Sequence, residues 1–122
     1  MANEISITVR VEVKKGNFSD LFNSGRKTFD QAGDGGGNPG VVALTTSEVN
    51  IDFGDITPGY VVMQNLDDTN SVNLGQDDAG TMKTIGEIEP GGFAMFKLAT
   101  GQTLRMAAAT GTADVLVKGY DA

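Results

Sequence analysis

Turn-forming residues interrupt this sequence at intervals of about eight to twelve positions, a spacing typical of β-sandwiches and barrels. The chain contains 17 glycines, and no long stretch carries apolar residues at helical spacing. Its 122 residues are enough for one hydrophobic core but not for two. We therefore predict an all-β fold, a single antiparallel β-sandwich of jelly-roll type spanning residues 1–122, with about nine or ten short strands.

The first strand is marked by strict alternation. Ile5, Ile7, Val9, Val11 and Val13 are separated by polar residues, so a strand here has one apolar and one polar face. Residues 1–15 are accordingly predicted to form a long N-terminal strand or arm. Two interpretations remain open: a strand of the domain's own sheet, or an arm that pairs with a neighbouring subunit.

The next two segments are less regular. Phe18, Leu21 and Phe22 are three and four positions apart, which predicts one helical turn or a loop that either plugs one end of the sandwich or contacts a partner. The segment from Gly33 to Gly40, GDGGGNPG, is predicted to be a flexible surface loop. It lacks the lysine, hydroxyl and following helix of a phosphate-binding loop.

The middle of the chain predicts hairpins. Tyr60–Leu66 and Ser71–Leu74 are expected to pair through the polar turn Asp67-Asp68-Thr69-Asn70, because Asp and Asn bond their own backbone in turns. Val41–Thr45 and Val49–Phe53 are expected to form a second ribbon. The remaining predicted strands are Met82–Ile88, Phe93–Leu98, Leu104–Ala109 and Ala113–Val117.

Composition argues against most enzyme mechanisms. Cys, His and Trp are all absent, which removes disulfides, thiolate and imidazole metal ligands, and the usual neutral-pH proton shuttle. The formal charge of −7 disfavours binding to nucleic acid. The sequence predicts a soluble chain with no membrane helix and no secretion signal, and it leaves the redox compartment open.

Acidic clusters are the remaining candidates for chemistry. Two adjacent turns could bring oxygen ligands around a calcium ion, but the EF-hand spacing is missing, and solvated turn carboxylates are the simpler interpretation. Four carboxylates could supply a glycosidase pair, but the aromatic platforms of such sites are scarce. We predict no catalytic, cofactor or metal site and no enzyme activity. The two turns contain Asp67, Asp68, Thr69, Asn70, Asp77 and Asp78, and the four carboxylates are Asp52, Asp55, Glu87 and Glu89.

A family resemblance covers about Thr45 to Asp121. Over that range the chain resembles small virion proteins of tailed bacteriophages, most closely the capsid decoration (cement) type. The similar segments are Thr57-Pro58-Gly59-Tyr60, Asn65-Leu66-Asp67, Thr69-Asn70, Val72-Asn73-Leu74-Gly75, Glu89-Pro90-Gly91-Gly92 and Met106-Ala107-Ala108-Ala109.

The resemblance implies a function without chemistry. A decoration protein binds the outer capsid surface across junctions of the major capsid protein and stabilises the shell, commonly as a homotrimer. The expected location is therefore the virion, with neither nucleic acid nor membrane as a partner. Two alternatives remain: a tail, neck or fibre protein of the phage, and a glycan-binding β-sandwich module.

Overall fold

The structure, a computed structural model, describes residues 4–31, 33 and 35–121. Every regular element in those ranges is a β-strand, and all paired strands are antiparallel, which confirms the predicted all-β, antiparallel class. The described chain has no helix long and apolar enough to cross a membrane. The strands are β1 (Ile5–Lys15), β2 (Phe18–Phe29), β3 (Gly36–Leu44), β4 (Val49–Asn50), β5 (Pro58–Asn65), β6 (Val72–Asp78), β7 (Thr81–Ile88), β8 (Phe93–Lys97), β9 (Leu104–Ala108) and β10 (Ala113–Asp121).

The chain divides into two compact units, Met1–Ala32 and Gly33–Ala122, where the sequence predicted one domain. The first unit holds the two-stranded sheet β1-β2, and the second holds two four-stranded sheets. Residues 1–3 of the predicted arm and Asp34 of the predicted loop lie outside the described residues.

The second unit is a sandwich of two sheets, with strand orders β3-β10-β5-β8 and β4-β9-β6-β7. Alternate residues of both sheets point inward, as the period of two in a strand requires. The buried cluster between them is aliphatic apart from one phenylalanine and two methionines. Its members are Leu44, Ile51, Phe53, Val61, Met63, Val72, Leu74, Ile88, Leu104, Met106, Ala108, Ala113, Val115 and Val117.

Both hairpins predicted in the middle of the chain are wrong in their pairing. β5 and β6 lie in different sheets, and the turn at Asp67–Asn70 carries the chain from one sheet to the other. β3 and β4 are likewise divided between the sheets. The physical reason is burial: apolar residues of consecutive strands cover each other best when they face across the core, rather than side by side in one sheet.

The predicted glycine-rich loop is also corrected. Its last five residues, 36–40, begin β3, which pairs with β10 at the edge of its sheet. An edge strand tolerates Pro39, which has no backbone donor to contribute to the ladder. Gly37 and Gly40 have φ values of 78° and 99°, which other residues rarely adopt, so the glycines fit this irregular strand.

The first unit is a long β-hairpin. The predicted N-terminal strand is present, but it belongs to neither sheet of the sandwich, so its placement in the domain's own sheet is wrong. The predicted helical turn is also wrong, because Phe18, Leu21 and Phe22 lie within β2. The two strands are joined by Gly16 and Asn17, and the positive φ of Gly16, 57°, suits the first position of a two-residue hairpin turn.

Candidate binding surfaces

The hairpin has one apolar face that remains exposed. Residues directly opposite in the ladder share a face, and Val11 lies opposite Phe22 while Lys15 lies opposite Phe18. Phe22 is 56% exposed and Val11 is 49% exposed. Leu21 lies opposite Glu12 on the other face, because a strand separates neighbours that a helical turn would have grouped.

An exposed hairpin of this kind needs support from elsewhere. A two-stranded sheet is marginally stable in water because it buries little apolar surface and leaves backbone groups unpaired along both edges. No hydrophobic residue of the described hairpin reaches the burial seen in the sandwich core. The exposed apolar side chains therefore mark this face as a contact surface.

The outer face of the β3-β10-β5-β8 sheet is a second exposed apolar surface. The register aligns Val41 with Leu116, Leu116 with Gln64, and Gln64 with Phe93, so these four residues form one row across the sheet. Phe93 is 74% exposed and Val41 is 61% exposed. A shallow depression of about 240 Å³ lies beside this row, lined by Val62, Gln64, Phe93, Leu116 and Lys118. We call this surface the outer face.

The outer face continues into two neighbouring rows. One aligns Pro39, Lys118, Val62 and Met95 across the four strands. In the other, Lys97 lies opposite Tyr60, with its ammonium 6.0 Å from the centre of the tyrosine ring. Two lysines on a mostly apolar surface stand out, because residues 33–122 carry only four basic residues against twelve acidic ones.

The sequence carries its own signal for the outer face, in two short apolar runs. Tyr60-Val61-Val62-Met63 is a continuous apolar run, and Val41-Val42 is a shorter one. A strand with only one buried face reads as alternating apolar and polar residues. An unbroken apolar run in an antiparallel sheet therefore indicates that both faces contact something apolar.

The β4-β9-β6-β7 sheet instead presents a polar network centred on Arg105. Its side chain is only 15% exposed, and its guanidinium donates to Glu48 Oε1 at 3.1 Å, Asn50 Oδ1 at 2.7 Å and the carbonyl of Gly80 at 3.1 Å. The backbone amide of Met82 and the Arg105 guanidinium together hold the pKa of Glu48 below its ordinary value. This network links three chain segments, residues 48–50, 80–82 and 105, and its role is structural.

Three of the segments that carry the family resemblance meet at one corner of the sandwich, namely Asn65-Leu66-Asp67, Thr69-Asn70 and Glu89-Pro90-Gly91-Gly92. Asn65 is fully buried, and its amide donates to the carbonyls of Asn70 at 2.9 Å and Ile88 at 3.1 Å. Its Oδ1 accepts from the amide of Asp67 at 3.0 Å. Asn65 also pairs through its backbone with Gly91 and Gly92, so one residue joins three separate segments.

The turn beside Asn65 is held by its own side chains. Asp67 Oδ2 accepts from the backbone amides of Asn70 at 2.6 Å and Thr69 at 2.9 Å, and these two bonds lower the pKa of the Asp67 carboxyl. Asn70 in turn donates to the carbonyl of Thr112 at 2.9 Å. These polar residues therefore form the turn, as the sequence predicted, even though that turn does not close a hairpin.

The carboxylates proposed for chemistry are dispersed. Asp77 accepts from the amide of Gly80 and lies in the Arg105 network, whereas Asp67 is bound within its own turn. Asp52 accepts from the amide of Gly54, and Glu87 lies opposite Asn73 in the β6-β7 ladder. Within residues 4–31, 33 and 35–121, no group of three or more acidic side chains is placed to hold a metal ion.

The chain matches no protein-family model, no curated protein and no solved structure.

Proposed function

We propose that this chain is a non-enzymatic virion protein of a tailed bacteriophage, which decorates the outer capsid surface across junctions of the major capsid protein. The observation that carries the proposal is the outer face, where Phe93, Val41 and Val62 are exposed on a four-stranded sheet of the sandwich. Apolar patches rimmed by polar residues mark protein contact sites on soluble domains. Lys97 and Lys118 would add attraction to an acidic partner surface.

The strand order supports a virion function. When the eight strands of the sandwich are renumbered from one, the sheet orders become 1-8-3-6 and 2-7-4-5. We propose that this is a jelly roll, an eight-stranded architecture used by many viral capsid domains. The jelly roll also occurs in lectins, so the architecture supports the decoration role only together with the outer face and the family resemblance.

The segments that carry the resemblance have a clear structural role. Asn65 and Asn70 bond to backbone groups of neighbouring segments, and Asp67 bonds to backbone amides of its own turn. Together they build the corner of the sandwich. Their similarity to phage proteins therefore supports a shared framework. The outer face, whose Gln64 and Phe93 directly adjoin that corner in the chain, would then provide the contact that distinguishes one virion protein from another.

Decoration would stabilise the shell through mass action. A ligand that binds the assembled shell but not its separated subunits favours the assembled state by an amount that grows with occupancy. Each copy needs only moderate affinity, because many copies act on one shell. Burying a side chain of the size of Phe93 contributes about 2 kcal/mol to such a contact.

The first test is the copy number. Gel densitometry of purified particles gives the ratio of this chain to the major capsid protein, and a decoration protein is expected near one to one. A handful of copies per particle would instead place the chain in the tail, neck or fibre and overturn the proposal.

The second test uses the outer face directly. Phe93→Ser should weaken binding of the purified protein to undecorated shells about 30-fold, the equivalent of about 2 kcal/mol. Ile85→Ser is the matched control, because Ile85 is 71% exposed but belongs to β7 of the other sheet. Equal binding by both variants and the unaltered protein would contradict a contact through the outer face.

A further inference from the structure

The apolar face of the hairpin has a charge pattern that is complementary to itself. Six rows of opposite residues lie on this face along the hairpin. A lysine stands in the second row from one end, and an aspartate stands in the second row from the other end. Lys27 lies opposite Ile7, and Asp20 lies opposite Val13. In order, the rows are Ile5 with Phe29, Ile7 with Lys27, Val9 at the bulge, Val11 with Phe22, Val13 with Asp20, and Lys15 with Phe18.

We infer that the hairpins of two copies of this chain stack face to face about a two-fold axis that lies between the faces and runs perpendicular to the strands. This operation places the first row of one copy over the sixth row of the other, and the second over the fifth. β2 of one copy then runs antiparallel over β2 of its mate. Lys27 of each copy therefore lies over Asp20 of the other, which gives two equivalent ion pairs.

The dimensions allow these pairs to form. Stacked sheets lie about 10 Å apart, a gap that a lysine and an aspartate side chain bridge together. The third row meets the fourth under the same operation, so Phe22 of one copy lies over the bulge of the other. Gly25 at that bulge has no side chain and has open space where one would be, which leaves room for the phenylalanine ring.

The distribution of charge favours contact through the hairpins. Residues 1–32 hold five of the nine basic and four of the sixteen acidic residues, a net charge of +1, whereas residues 33–122 carry −8. Two sandwiches therefore repel each other strongly, whereas two hairpins repel each other only weakly. The nearly neutral unit is the one that can approach its copy at the least electrostatic cost.

The contact area between the two hairpins determines the expected affinity of the dimer. Eleven-residue strands extend about 37 Å, and two strands are about 10 Å wide, so each copy offers a footprint of roughly 370 Å² before side-chain relief is counted. Two such footprints bury roughly 740 Å² in total, which is below the roughly 1,000 Å² of most specific protein interfaces and typical of weak, transient contacts. We therefore expect a dimer that dissociates at micromolar concentration, and a two-fold contact cannot by itself close the trimer that the resemblance implies.

Charge reversal tests this geometry on the purified full-length protein. Sedimentation equilibrium should show a dimer, and K27D or D20K should each raise the dissociation constant about tenfold or more, because two attractive pairs become repulsive. The double variant D20K/K27D should recover the dimer, since the pairs form again with their signs exchanged. An equimolar mixture of the two single variants should also recover it, as a heterodimer.

K14D is the matched control, because Lys14 is exposed on the same strand but lies opposite Ser19 on the polar face. It should leave the dissociation constant unchanged. A monomer at all concentrations, a trimer, or single reversals that dimerise as well as K14D would overturn the inference. The dimer contact involves the hairpin, whereas shell binding involves the outer face. Sedimentation therefore tests the dimer, and binding of Phe93→Ser to shells separately tests the proposed function.

Discussion

Replacing Asn65 with alanine should cost more stability than any surface change in this chain. The side chain is 0% exposed and makes three hydrogen bonds, to Asn70, Ile88 and Asp67. At about 1 kcal/mol for each bond, and with one buried and two partly buried backbone groups left without that partner, we expect a loss of about 3–4 kcal/mol in the free energy of unfolding. This is a large fraction of the 5–15 kcal/mol typical of a folded domain.

Urea unfolding followed by far-UV circular dichroism measures this loss. The midpoint should fall while the slope stays constant, because the surface exposed on unfolding is nearly unchanged. In thermal unfolding, a loss of 3–4 kcal/mol corresponds to a fall in Tm of about 12–16 °C. Asn65→Asp should lower the stability more than Asn65→Ala does at neutral pH, because it sets a carboxylate oxygen against the carbonyls of Asn70 and Ile88.

Asn73→Ala is the control for Asn65→Ala. Asn73 carries the same side chain on β6 but is half-buried on the outside of its sheet, opposite Glu87. It should cost less than about 1 kcal/mol. If the two alanine variants are equally stable, Asn65 does not hold the corner together, and the structural explanation of the resemblance fails.

Two further outcomes can be checked with the same assays. Gly75→Ala should prevent stable folding, because a Cβ there would collide with the backbone carbonyl of Lys83. Gly86→Ala is the control: its Cβ meets only ordinary side-chain contacts, so it should lower the free energy of unfolding by about 1 kcal/mol or less. Stability should fall as the pH drops below about 4, since the lowered pKa values of Glu48 and Asp67 mean that the unfolded chain binds more protons there. Unfolding midpoints from pH 6 down to about pH 3 test this, and Glu48→Gln should lose less stability over that range than the unaltered protein. An equal fall in both proteins would contradict the role assigned to Glu48.

The sequence predicted the positions of the strands better than it predicted which strands pair. Turn residues such as Pro90-Gly91-Gly92 end strands through local backbone chemistry, so the boundaries of β7 and β8 were predicted to within about a residue. Pairing depends on which distant segments share a core. The turn at Asp67–Asn70 has the same local form whether it closes a hairpin or crosses between sheets, so sequence chemistry could not distinguish the two.

The candidate binding surfaces could be predicted only in part from the sequence. The alternation from Ile5 to Val13 identified an amphipathic strand, and its pairing with β2 then placed Phe18 and Phe22 on the same face. The outer face required the register of four strands, because Val41, Leu116 and Phe93 come from three separate parts of the chain. No local pattern brings such residues together.

The position of β10 has a consequence for how the protein is made. This strand lies between β3 and β5, so the sheet stays divided into separate pieces until residues 113–121 have been synthesised. Folds that depend on such distant pairings form slowly, and their incomplete chains expose apolar strands to aggregation. During synthesis, the growing chain therefore forms no stable partly folded intermediate. A nonsense mutation ahead of β10 would yield aggregated or degraded protein rather than a smaller working domain.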